Sequence, residues 1–213
     1  MKPDRSAVKP DYWDGAKRTL ARRDPVMAGI MRAHPKIFLV RRGEPFMTLA
    51  RAIVGQQISV KAAQSVWDRV VACVGGEVSP QTVLGRQRPV LRACGLSDRK
   101  TEYICDLAQH FANGSIHVHR WPQMSDEEII AELVEVRGIG RWTAEMFLIF
   151  HLLRPNVLPL DDVGLIKGIS VNYFSGEPVS RAEAREVGDA WAPYRSVATW
   201  YIWRSLDPMP VSY

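Results

Sequence analysis

At 213 residues the chain is long enough for one domain or two closely joined lobes, and its 46% apolar content is ample for a real core. A formal net charge of +5 and a pI near 9.3 suit a nucleic-acid-binding domain, although charge alone discriminates poorly. No run approaches membrane-spanning length, the N-terminus lacks a signal peptide's apolar core, and Cys73, Cys94 and Cys105 read as buried apolar residues of a reducing compartment, so a cytoplasmic protein is expected.

In chain order, residues 1–9 are polar and proline-bearing and read as a loose tail, leaving a helical core over about 12–206. Residues 12–23 place Tyr12, Trp13, Ala16, Leu20 and Ala21 among basic residues, an amphipathic helix whose Lys17, Arg18, Arg22 and Arg23 form a solvated face. Asp24 is then an N-cap, with Pro25 at the first helical position. A second pattern from Phe46 carries Leu49, Ala50, Ile53 and Val54, breaks at Gly55-Gln56-Gln57, and restarts behind a Ser59 cap. Gly75-Gly76 ends that helix, and Ser79-Pro80 opens a short one. Residues 92–100 form a tight helix–helix connection around Gly95-Leu96-Ser97, followed by a helix over 100–111. Ser125-Asp126-Glu127-Glu128 has the form of a capping box. No period-two run is long enough for a sheet, and no repeat or low-complexity linker is present. The expectation is an all-α fold, a single domain over 1–213.

The stretch 134–167 organises the rest. Helical spacing through Ile129, Ile130, Leu133, Val134 and Val136 stops at Gly138-Ile139-Gly140, then resumes from Trp142 through Met146, Phe147, Ile149 and Phe150. Two glycines around one apolar residue permit a positive-φ turn and leave backbone amides uncovered at a helix N-terminus, where a phosphate is favoured. Arg137 and Arg141 flank the turn and can reach further phosphate oxygens. An acidic pair, Asp161-Asp162, opens another apolar helix after Pro159. A plain helix–helix turn would explain Gly-Ile-Gly alone; the hairpin, Arg141-Trp142-Thr143-Ala144 and the acidic pair together are more specific. The combination resembles the helix-hairpin-helix (HhH-GPD) DNA glycosylase superfamily, and within it the 3-methyladenine DNA glycosylase II (AlkA-type) branch. Ala52-Ile53-Val54-Gly55-Gln56-Gln57-Ile58-Ser59 and the segment from Trp191 to Trp203 match that branch too, so the resemblance spans about 46–206.

The resemblance implies two helical lobes around a DNA-binding cleft, without the N-terminal β domain of larger members. It implies removal of alkylated purines resembling 3-methyladenine from duplex DNA. The catalytic carboxylate falls on Asp162, which precedes Val163-Gly164, and Asp161 becomes its structural partner. An aspartate beneath the sugar stabilises oxocarbenium character and orients or deprotonates a water. Bifunctional relatives carry a Schiff-base lysine where this chain has Trp142, so no lyase activity is expected. Trp142, Met146 and Tyr194 form the base pocket, Trp142 offering a cation–π wall worth roughly 0.5–2 kcal/mol. Relatives often carry an aromatic at the Met146 position, which puts the breadth of base selection in question. Core packing is the simpler role for Trp200 and Trp203. Gln56 and Gln57 approach the flipped nucleotide's strand or fill the vacated space, and Leu96 is the candidate wedge in the base stack. Arg137, Gly138, Ile139, Gly140, Arg141 and Thr143 make up the DNA grip, with a sodium or potassium ion held by the Val136 and Ile139 carbonyls. No cysteine follows Cys105, which excludes the family's iron–sulfur cluster, and no catalytic metal is implied. The expected partner is damaged double-stranded DNA, met by a monomer. Two other readings are a non-catalytic helix-hairpin-helix DNA-binding module and a glycosylase for mismatched or deaminated bases; the module would need neither the carboxylate nor the aromatic pocket.

Overall fold

The computed structural model of the chain describes residues 9–41 and 43–206. Of the expected tail over 1–9, only Lys9 lies among them, its ammonium paired with Asp14 at 2.5 Å. The described residues form helices and no strands. They cluster into two compact units, one taking residues 9–41 and 148–206, the other residues 43–147.

In the first unit, α1 (Trp13–Arg23) and α2 (Pro25–Ala33) pack with α12 (Arg195–Leu206), and α12 packs in turn on α10 (Val163–Tyr173), which α11 (Arg181–Asp189) follows. Every residue from Ser196 to Arg204 is buried, so α12 has no solvent face and no amphipathic stripe. Its close approach to α10 depends on Gly168, where a Cβ would meet Ile202 at 2.2 Å. Asp24 ties the unit together. Its Oδ1 accepts the Met27 N–H as the cap of α2, and its Oδ2 accepts the Tyr173 hydroxyl at 2.5 Å and the Trp191 indole N–H at 3.1 Å. Burial, reinforced by that bond to Asp24, pushes the Tyr173 phenol well above its ordinary range.

The second unit is arranged on α7 (Asp98–Ala112), against which α3 (Pro45–Gly55), α5 (Pro80–Leu84) and α6 (Arg88–Ala93) pack. Ile104, Leu107 and Ala108 form its buried face. Serines start the helices of this unit: Ser59 caps α4 (Val60–Val74), Ser79 caps α5, Ser97 caps α7, and Ser125 with Glu128 closes a reciprocal box on α8 (Asp126–Val134). The boundary between the units falls inside α9 (Arg141–Phe150). Three details differ from expectation. α6 and a 3-10 turn over Val118–Gln123 were not anticipated, α7 begins at Asp98 because Ser97 caps it, and α8 stops at Val134 rather than running into the hairpin.

Candidate active site

The hairpin is a tight turn built from backbone bonds. The Val136 N–H donates to Leu133 at 3.2 Å and the Ile139 N–H to Val136 at 3.0 Å, while Val136 and Ile139 bury their side chains. Its two glycines do different jobs. Gly138 has φ +84°, and a Cβ there would fall 2.2 Å from the Tyr103 ring. Gly140 needs no left-handed backbone, and a Cβ there would meet nothing within 4 Å. The first N–H groups of α9 have no intrahelical acceptor, and the positive end of the helix lies there.

The flanking arginines, expected to reach phosphate oxygens, both stand in ion pairs. Arg137 pairs with Glu102 and approaches Asp106 at 3.5 Å, and its own N–H donates to Asp106 at 2.9 Å. Arg141 donates to both oxygens of Glu127 and, at 3.0 Å, to the buried Glu145 one turn along α9. The hydrogen bond from Arg141 holds the Glu127 carboxyl below the usual carboxylate range. Exposed pairs of this kind are worth only about 0–1 kcal/mol, so exchanging a carboxylate for a phosphate at Arg137 is inexpensive.

Beside the hairpin lies a cavity of about 530 Å³, wholly within the second unit. Trp142, Thr143 and Met146 line it from the first turns of α9. Arg51, Gly55, Gln56 and Gln57 contribute from the end of α3, with Ala63 and Gln64 from α4. Thr143 was grouped with the phosphate grip, but its side chain is 8% exposed and faces this cavity. The break after α3 is a sharp turn: Gln56 leaves the helix at ψ 131° and Gln57 stands at φ +57°, with Gln57 exposed. The Gln56 side-chain amide donates to the Gly138 carbonyl at 2.8 Å, joining the break to the hairpin. Leu96, expected as the wedge, is 5% exposed and sits in the core of its unit. The left-handed Gly95 turns the chain there so that Leu96 faces inward. Ile58, next to Gln57, and Val60 are exposed apolar side chains in this region, at 40% and 58%.

In the first unit, Asp162 takes the capping role that the sequence reading gave to its neighbour. It is 6% exposed and is itself the N-cap of α10. Its Oδ1 accepts the Leu165 N–H at 2.6 Å and the Trp203 indole N–H at 2.8 Å. Asp161 is exposed and forms an ion pair with Arg181 instead. Trp203 stacks on Phe150 with ring centroids 5.7 Å apart and an interplanar angle of 15°. It was read as core packing; the contact with Asp162 spans 41 positions and left no local signal. Gly164 fits beside them, where a Cβ would lie 3.1 Å from Asp162 Oδ1 and 3.3 Å from Trp203. Tyr194 lies in the turn before α12 of this same unit, half-buried, its N–H donating to Trp191. Among the described residues no group of three His, Cys, Asp or Glu side chains could hold a metal ion, and no helix is long and apolar enough to cross a membrane. The Val136 carbonyl, which accepts one N–H, keeps a second lone pair, consistent with loose coordination of a monovalent cation.

Residues 50–193 match the family model described as the HhH-GPD superfamily base excision DNA repair protein. DNA-3-methyladenine glycosylase 1 of Schizosaccharomyces pombe is 31% identical over 78% of this chain and 74% of its own length. The crystal structure of a DNA-3-methyladenine glycosidase from Bacillus halodurans superposes with a TM-score of 0.84 at 33% identity, covering 90% of this chain and 89% of that one. A Schizosaccharomyces pombe 3-methyladenine DNA glycosylase in complex with abasic DNA gives 0.79 at 29% identity, over 90% and 96%.

Proposed function

The chain belongs to the HhH-GPD superfamily of base excision DNA repair proteins, and on that premise we propose that it is a monofunctional DNA glycosylase acting on alkylated purines resembling 3-methyladenine. The observation that carries this reading is Asp162, a buried carboxylate oriented by a helix N-terminus and by Trp203. A module that only gripped DNA would need no more than a capping oxygen at this position, which Ser or Asn supplies without a buried charge that is costly to keep.

Extrusion of the damaged nucleotide costs a few kcal/mol, least where alkylation has already weakened pairing. The cationic base stacks on the electron-rich face of Trp142. As the N-glycosidic bond breaks, its electron pair leaves with the base and neutralises the positive charge that alkylation put there. The Asp162 carboxylate stabilises the positive charge growing on the sugar, and water oxygen bonds to C1′ while its proton passes to the carboxylate. No strong general acid is required for such a leaving group. An apolar indole occupies the position of the lyase lysine, so the product is an intact abasic site. The amides following Gly140, with Arg137, hold phosphates, and the Val136 and Ile139 carbonyls would hold a monovalent cation that adds positive charge there. Gln57, exposed at a strained turn, replaces Leu96 as the filler of the vacated stack. The protein acts as a monomer in the compartment that holds the DNA.

The test is incubation with methylated duplex DNA, with free bases separated chromatographically and strands analysed with and without alkali. Released methylpurine, with strand scission only after alkali, is expected. DNA binding without release from a broad panel of alkylated bases favours the binding module, and scission without alkali contradicts the role given to Trp142.

A further inference from the structure

The break that presents Gln56 and Gln57 is held from outside by one side chain. α3 ends at Gly55, so its last carbonyls lack intrahelical donors and lie at the negative pole of the helix. Gln57 follows in a left-handed conformation at φ +57°, which a residue with a Cβ adopts only where its surroundings over-determine it. Lys100 supplies the missing donors. Its ammonium donates to the Val54 carbonyl at 2.8 Å and to the Gln56 carbonyl at 2.7 Å. Lys100 sits in the first turn of α7, where the helix field disfavours a cation, and partial burial lowers its pKa. Both are costs to the lysine itself, and the two carbonyl bonds offset them. The chain of contacts continues, because the Gln56 amide donates to Gly138 of the hairpin.

We propose that Lys100 is a positioning residue for base excision: by fastening two carbonyls at the end of α3 it fixes Gln57 at the cavity rim and, through Gln56, ties that rim to the hairpin. The proposal rests on the glycosylase reading above. Lys100 acts on the geometry of nucleotide extrusion rather than on DNA affinity, which separates it from a lysine that merely contacts phosphate.

Wild type, Lys100→Met and Lys100→Arg are compared on methylated duplex DNA under single-turnover conditions. Affinity for undamaged duplex is measured across a salt series, and 2-aminopurine beside the lesion reports extrusion. Misplacement of a reacting group by an ångström costs on the order of a hundredfold, so Lys100→Met should lose at least about tenfold in excision rate. Its affinity for undamaged duplex and its salt dependence should stay at wild-type values, its 2-aminopurine signal should fall, and Lys100→Arg should recover part of the rate. A wild-type rate in Lys100→Met overturns the proposal. So does an unchanged rate at saturating enzyme with weaker, less salt-dependent binding, which would make Lys100 a phosphate contact. If wild type itself releases no base, the glycosylase reading fails first and takes the proposal with it. Should Lys100→Met not fold, Lys100→Gln, which keeps a neutral donor for the carbonyls, is scored by the same split between rate and affinity.

Discussion

Trp203 holds the same oxygen of Asp162 that caps α10, so one side chain couples the aromatic packing of α12 to the carboxylate proposed to react. A hydrogen bond to a charged group contributes about 1.5–3 kcal/mol. Trp203→Phe retains a ring against Phe150 but removes the indole donor. We expect it to unfold at lower denaturant by an amount in that range and to excise base at least about tenfold more slowly, since a freed carboxylate samples other rotamers. An undiminished single-turnover rate would mean that Trp203 does not orient the carboxylate. This contact was not legible in the sequence. Trp200 and Trp203, three apart on a helix that is buried all round, look alike there, and only the fold brings one of them to Asp162.

At the scale of elements, most of the fold was legible because its signals are local. Asp24-Pro25, Ser59 and Ser125 each cap the helix expected of them, since a cap is decided by side-chain chemistry within three residues. α6 and the 3-10 turn escaped because six residues are too few to show a period. The hairpin was recognised, but not the division of labour between its glycines. Gly138→Ala puts a Cβ into the Tyr103 ring at positive φ, and should destabilise the protein by about 1–3 kcal/mol. Gly140→Ala meets open space and should leave thermal unfolding unchanged while weakening DNA binding, because a methyl group then covers the amides that meet phosphate. Equal loss of stability in the two variants would refute this assignment. The partners of Arg137 and Arg141 were likewise invisible: Glu102 lies 35 positions from Arg137, and Glu127 lies 14 from Arg141.

For the whole molecule, a net charge of +5 promises salt-dependent DNA association, but the ion pairs at the hairpin decide which charges take part. Arg137 is the more exposed of the two arginines, at 63% against 51%, and its nearer partner Glu102 is 40% exposed, so it can trade that pair for phosphate. Arg141 is held on two sides, once by the buried Glu145. Arg137→Gln should reduce the slope of log affinity against log salt by about 1 with little change in stability. Arg141→Gln should instead cost about 1–2 kcal/mol of stability through its lost charge-assisted bonds. The opposite assignment of effects would show that Arg141 is the phosphate ligand. The measurement closest to the central claim is single-turnover base release from methylated duplex DNA by Asp162→Asn and Asp161→Asn. Asparagine caps a helix as well as aspartate does and still offers an oxygen to Leu165 and Trp203, so Asp162→Asn removes the charge while keeping the fold. The account predicts that Asp162→Asn melts like wild type and loses at least about a hundredfold in rate, while Asp161→Asn, which gives up only the exposed pair with Arg181, excises normally. Excision near the wild-type rate by Asp162→Asn, or loss of activity in Asp161→Asn alone, would contradict it.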